Sequence, residues 1–267
     1  MIRLALRVRR DEAELVLAEL LELAPNGVEE SESEGFVEYA IYGAPGELPE
    51  LPALRAAAGE ALVEVETTEV SDDWFDGWRD FHRPLVVGGR LCVRPPWADP
   101  APGLLDVVID PGRAFGTGAH DSTRLCLDML VELEPGGALA DLGCGSGVLG
   151  IAAARLGWSP VTCLDHEAES VAAAHANAEA NGVELDVRRW DLRSEPPPRA
   201  ETVTANLLRP LLLRLAEALE APPRRLIASG LLIAEADEVA AAFAAAGLRE
   251  RERRSAGDWS ALLLEAG

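Results

Sequence analysis

The 267-residue chain is 48% hydrophobic, enough for one large domain and one small one, and it holds no apolar run of the roughly eighteen residues that a membrane span needs. With 46 acidic and 24 basic residues its formal charge is -22, which repels nucleic-acid phosphates from most of the surface and leaves two readings, solubility or attraction of a basic protein partner. All 24 of the Lys and Arg residues are arginine, so phosphate-loop nucleotidases and Schiff-base enzymes, which both need a lysine amine, are excluded.

Residues 1–10 alternate charged and apolar groups where a secretory leader needs a continuous apolar stretch, so a cytoplasmic location is expected. Residues 2–8 then read as a strand. Residues 11–23 carry Ala13, Val16, Leu17, Leu20 and Leu21 at helical spacing, and Pro25-Asn26-Gly27 breaks that helix. Residues 27–30 and 36–42 read as a hairpin across Ser31-Glu32-Ser33-Glu34-Gly35, residues 51–62 as a second helix and residues 63–70 as a last strand. This order suits a small ferredoxin-like α+β domain over residues 1–69. A joint over residues 70–84 holds Trp74 and Trp78, and clustered aromatics of this kind pack a joint or line a site.

From residue 85 to the end, short apolar strands alternate with longer helices, the pattern of a parallel sheet with crossover helices. Strands are expected at 139–142, 161–164, 185–190, 202–205 and 226–228, with helices after Val148, Glu167, Pro210 and Ile233. The tail, residues 248–254 and 258–264, reads as two strands joined by a tight turn. A Rossmann-like, seven-stranded methyltransferase sheet closes with such an antiparallel hairpin, whereas a purely parallel dinucleotide fold does not. Cys92, Cys126, Cys144 and Cys163 are too widely spaced for a paired-thiol motif and read as free thiols.

The strongest local signal is Asp141-Leu142-Gly143-Cys144-Gly145-Ser146-Gly147, where a strand turns into a helix. Alternate glycines permit positive φ and close backbone approach, and the helix start offers free amides, so a nucleotide-like ligand is the natural guest. Asp165 ends the next strand, placed to accept hydrogen bonds from two ribose hydroxyls. Gly145, Gly147 and Gly150 also have dinucleotide spacing, which keeps a nicotinamide or flavin enzyme as a rival. The acid Asp141 before the glycines suits the cationic amino-acid end of S-adenosyl-L-methionine better than a pyrophosphate. Asn206, ending the fourth strand, either holds an acceptor amine beside that sulfonium or caps the helix that follows. Upstream, the segment from Asp110 to Thr123 reads as a lid containing Phe115, Gly116 and Thr117, with Thr123 at a helix start and His120 in a local hydrogen-bonding role. Asp191 either reaches the adenine amino group or is a solvated turn residue. No metal site is expected.

The lid residues Asp110-Pro111-Gly112 and Ala114-Phe115-Gly116-Thr117-Gly118, with His120 and Thr123, the glycine turn, Asp165 and Ala205-Asn206-Leu207 together make the chain resemble the bacterial methyltransferases of large-subunit ribosomal protein eleven. The likeness runs from about Asp73 to the C-terminus. It implies an S-adenosylmethionine-dependent enzyme that methylates lysine side chains and the N-terminal amine of that basic protein. It also implies that the small domain recognises the substrate across a mobile joint. Thr123, Gly143, Asp165 and Asn206 fall at the family's cofactor-contacting positions. His120-Asp121-Ser122-Thr123 and His166-Glu167 depart from the family's His-Pro-Thr-Thr and its second acid with proline. A monomer with no direct nucleic-acid or membrane contact is expected; an amine methyltransferase acting on another protein or a small molecule is the alternative.

Overall fold

The computed structural model describes residues 2–13, 16, 20, 29–33, 36–43, 48–49, 54–55, 58–69, 83–110, 118 and 120–267. Its internal contacts separate Met1–Phe81 from His82–Gly267.

In the first unit, strands β1 (Ile2–Arg9), β2 (Glu29–Ser33), β3 (Phe36–Gly43) and β4 (Leu62–Glu69) form an antiparallel sheet in the order β2-β3-β1-β4. Alternation along β1 sends Leu4, Leu6 and Val8 into a core with Val37, Tyr39, Ile41, Leu54 and the helical residues Ala13, Val16 and Leu20. On the other face Arg3 and Arg7 reach Glu38 at 2.6 and 3.0 Å, and the Arg3 hydrogen bond draws that carboxyl below its usual range. Two boundaries differ from the sequence reading. Ser31 to Ser33, expected as turn, continue β2 opposite Phe36 to Glu38, because alternating Ser and Glu suit a two-residue-period edge strand as well as a turn. The second helix gives way to strand at Leu62. Most of the two expected helices, and residues 70–82 of the expected joint, lie outside the described residues.

The second unit opens with a feature absent from the sequence reading. Strands β5 (Leu85–Val87), β6 (Leu91–Arg94) and β7 (Leu105–Val108) make a small sheet of their own, β5 and β6 antiparallel, β6 and β7 parallel, with no helix between them. The Gly88-Gly89 turn, at φ +54° and +64°, makes the β5–β6 hairpin. Asn181 fastens this sheet to the larger body by accepting from Val108 N–H (2.8 Å) and donating to Val108 C=O (2.6 Å).

Helix α1 (Asp121–Glu132) follows, then β8 (Leu139–Leu142), α2 (Val148–Leu156), β9 (Val161–Asp165), α3 (Ala168–Asn181), β10 (Asp186–Arg189), β11 (Thr202–Asn206), α4 (Arg209–Ala218), β12 (Arg225–Leu232), α5 (Ala236–Ala245), β13 (Leu248–Ala256) and β14 (Trp259–Ala266). The seven strands lie in the order β10-β9-β8-β11-β12-β14-β13, parallel except β14, which runs against both its neighbours. Alternation splits β8 between two cores: Leu139 packs with α1 and α2, while Ala140 and Leu142 pack with α4 and α5. Helices therefore cover both faces, the arrangement of a Rossmann-like α/β fold. Chain order runs outward to β9 and β10 on one side of β8 and to β11 and β12 on the other, so the sheet's switch point lies between β8 and β11. A ligand crevice is expected at the carboxyl ends of these strands.

Candidate active site

The turn after β8 supplies the floor of that crevice. Gly143, Gly145 and Gly147 all have positive φ, +73°, +52° and +81°, where an L side chain is strained. The N–H groups of Gly143 and Cys144 both donate to Leu164 C=O, at 2.8 and 3.0 Å, which binds the turn to the end of β9. A Cβ on Gly143 would stand 2.4 Å from the Leu207 side chain, so a larger residue here would push that side chain aside.

Asp165, at the end of β9, is nearly buried. One carboxylate oxygen accepts from Gly145 N–H at 2.9 Å and the other from Glu167 N–H at 3.0 Å, which fixes the plane of the group and leaves each oxygen a further lone pair. His166 stands beside it, Nδ1 3.5 Å from the carboxylate. Gly143, Gly145, Asp165 and Asn206 line one cavity of about 420 Å³ together with His120, Ser122, His166, Leu207, Leu211, Gly230 and Trp259. A smaller one of about 110 Å³ adjoins it, sharing Gly143, Asp165, His166, Leu207 and Leu211, and extends to Trp190, Asp191 and Leu192. The acid thus sits where the two chambers meet.

Asn206 does not cap α4. That helix starts at Arg209 with Leu208 as its N-cap residue. The Asn206 amide instead donates to Thr123 Oγ1 across 3.1 Å, leaving its carbonyl oxygen for the cavity. Thr123 is buried within α1, which begins at Asp121, two residues before it, because His120 caps the helix: Nδ1 accepts from Ser122 N–H at 3.3 Å. The same imidazole meets Trp259 edge-on, with ring centroids 4.8 Å apart.

Asp141 is placed differently from the sequence reading, in which it met a cationic ligand. It is fully buried beneath the glycine turn and lines neither chamber. Its oxygens accept from Thr204 Oγ1 (2.7 Å) and Gly150 N–H (3.2 Å), and burial pushes its carboxyl up to about 7 in spite of these bonds. It braces the start of α2 against β11. Asp191 lies two residues past β10 with its carboxylate held by Arg193, through the backbone N–H and through Nε, both at 2.9 Å; that hydrogen bond draws it below its usual range. Phe115, Gly116 and Thr117 lie outside the described residues. All four cysteines are buried free thiols. Burial raises Cys126, and a hydrogen bond donated to Cys144, with burial, raises Cys163, which makes both poor nucleophiles.

Three contributors went unread in the sequence. Gly230, at φ +82°, sits where β12 bulges against β14, and a Cβ there would come within 2.6 Å of Leu207 C=O and 2.9 Å of Asn206 Oδ1. A glycine inside the apolar run 226–232 was the available signal for such an approach. Asn177, on α3, donates to Ser146 C=O (2.9 Å) and accepts from Asp110 N–H (3.1 Å), tying the glycine turn to the base of the lid segment. Trp259 walls the cavity from the hairpin.

The chain matches the family described as Ribosomal protein L11 methyltransferase (PrmA) over residues 4–266. Curated relatives named ribosomal protein L11 methyltransferase include one from Geobacter metallireducens, 39% identical over 206 residues, covering 75% of this chain and 69% of the relative. Another, from Pelotomaculum thermopropionicum, is 39% identical over 225 residues, covering 80% and 73%. Among solved structures, a ribosomal protein L11 methylase from Lactobacillus delbrueckii subsp. bulgaricus superposes with a TM-score of 0.61 at 27% identity, over 70% of this chain and all of that one. A switch-point cavity with an acid at its waist and an asparagine at its wall, on a chain matched almost end to end, gives one answer: the chain belongs to the ribosomal protein L11 methyltransferase family.

Proposed function

We propose that the chain transfers methyl groups from S-adenosyl-L-methionine to lysine side chains and the N-terminal amine of large-subunit ribosomal protein eleven. The observation that carries this is the pair of joined chambers: Asp165 stands at their junction and Asn206 at the wall of the larger one. The cavities fit the group. A bulky, elongated ligand with a diol at its middle needs two compartments and an acceptor between them, and Gly143 and Gly145, which carry no side chains, line the larger compartment.

When bound, S-adenosylmethionine supplies an electrophilic methyl group on a sulfonium. Asp165 accepts from the ribose hydroxyls with the lone pairs left by Gly145 and Glu167. The Trp190, Asp191 and Leu192 chamber takes the adenine, and Gly143 and Gly145 bound the amino-acid side, with Thr123 buried behind Asn206. By the family resemblance, Phe115, Gly116 and Thr117 also belong to the cofactor site. Asn206, its amide pinned by Thr123, presents Oδ1 to the acceptor amine and holds the lone pair in line for attack, and alignment is most of what such a displacement requires. The amine reaches this point already deprotonated, its proton lost to bulk water, so no side-chain base is assigned. Residues 85–267 form the catalytic domain, closed by its C-terminal hairpin. Residues 1–69, whose strand order β2-β3-β1-β4 is that of a ferredoxin-like module, recognise the substrate across the joint 70–84.

The test is incubation with methyl-labelled S-adenosylmethionine and purified ribosomal protein eleven, followed by mass spectrometry. Label on lysine and N-terminal amines is the expected result. No label on that protein above background would overturn the substrate assignment.

A further inference from the structure

Leu208, Leu232 and Ile233 expose 65, 41 and 50% of their surface, while their neighbours Leu212 and Leu231 are fully buried. The fold gathers these three. Strands β11 and β12 run parallel with Asn206 opposite Ser229, so Leu208, just past β11, and Leu232 with Ile233, at the end of β12, emerge at the same edge of the sheet. Leu232 is paired with Trp259, and Ile233 N–H donates to Asp258 C=O at 3.0 Å. Leu208 and Trp259 both line the cavity that holds Asn206. The apolar rim is therefore continuous with the acceptor side of the site.

The charges beside it are already paired. Arg209 reaches Glu235 at 3.2 Å and Glu238 at 2.7 Å, and Glu235 also accepts from Leu232 N–H at 2.9 Å. What faces solvent at this edge is hydrocarbon flanked by one guanidinium and two carboxylates, a net negative cluster, on a chain whose overall charge of -22 repels phosphate polymers and attracts basic polypeptides. Grouped aliphatic side chains left in water at the mouth of a site mark a surface that a partner covers.

We infer that Leu208, Leu232 and Ile233 are the docking surface for the segment of the protein substrate that carries the target amine. Apolar side chains beside the amine cover the rim, and the aliphatic stem of the target passes Trp259 toward Asn206. The inference rests on the methyl-transfer reading above. It makes the rim a source of substrate affinity rather than of chemistry.

Two readouts test it on the full chain: equilibrium binding of fluorescently labelled ribosomal protein eleven with S-adenosylhomocysteine bound, and steady-state methylation with S-adenosylmethionine. Leu232→Ser combined with Ile233→Ser, neither of which lines the cavity, raises Kd and KM for the protein by about tenfold, as expected for two aliphatic groups no longer buried on binding. Its kcat and S-adenosylhomocysteine affinity stay within about twofold of the native chain, which also shows that the variant is folded. Ile233→Met, still apolar, keeps native binding. A double variant that binds the protein as tightly as the native chain overturns the rim alone. A native dimer that the double variant splits into monomers, seen by sedimentation, overturns it in favour of self-association. Absence of any binding by the native chain overturns the substrate reading, and the rim with it.

Discussion

Asp141 carries the clearest consequence at the scale of single residues. Its folded-state carboxyl titrates near 7, above the ordinary value of 3.8, so the fold holds its proton more tightly than the unfolded chain does. The stability this contributes is complete below about pH 4 and is lost as pH rises through 7. Asp141→Asn keeps an acceptor for Gly150 N–H and gains a donor toward Thr204 Oγ1, without the buried charge. Melting curves at about pH 5.5 and pH 8 are therefore expected to show the variant gaining on the native chain at the higher pH, by roughly a few kcal/mol. A difference that stays constant with pH contradicts this account. Gly230→Ala places a Cβ against Leu207 C=O and Asn206 Oδ1 at positive φ; it should cost about 1–3 kcal/mol of stability and, by moving Asn206, lower kcat by about tenfold or more. Native kcat in a stable Gly230→Ala enzyme would remove the close approach from the mechanism. Asp165 and the glycine turn were legible because a strand-ending acid and alternate glycines state their backbone demands locally. Asp141 was not, since adjacency to the glycines cannot show which way a side chain at the end of a fully buried strand points.

Among elements, the packing of α2 on β9 depends on Gly150, where a Cβ would lie 2.2 Å from Cys163 Sγ. Gly150→Ala alone is predicted to destabilise by about 1–3 kcal/mol through overpacking. Adding Cys163→Ala should recover more than half of that loss in urea titrations, because the two side chains compete for one space; strictly additive losses contradict the contact. The strands of the large sheet could be read from their apolar runs, whose bounds differ from the structure by few residues except at β12, which continues through Gly230 to Leu232. The β5–β6–β7 sheet could not. Its strands of three and four residues are too short to display a period, and only the Gly88-Gly89 pair marked the hairpin. A helix-cap role for Asn206 stayed open in the sequence as the lesser alternative; the start of α4 at Arg209, with Leu208 as its cap residue, decides against it.

For the whole molecule, the charge of -22 predicts that association with a basic protein substrate weakens with salt. KM for that substrate should rise several-fold between about 0.05 and 0.3 M salt while kcat holds, and a salt-independent KM would argue that steering plays no part. The doubly wound order of β8 to β12 places the glycine turn, Asp165 and Asn206 at one edge of one sheet. That convergence was only implicit in the sequence, where Thr123, Asp165, Asn206 and Trp259 are spread over more than half of the chain. The central claim is that the switch-point chambers bind an adenosyl sulfonium with Asp165 at their junction. Titration calorimetry with S-adenosylmethionine tests it most directly. Saturable one-site binding by the native chain, weakened roughly a hundredfold or more in Asp165→Ala as two charge-assisted hydrogen bonds are lost, is the predicted result. Absence of binding, or equal affinity in the two proteins, would contradict it.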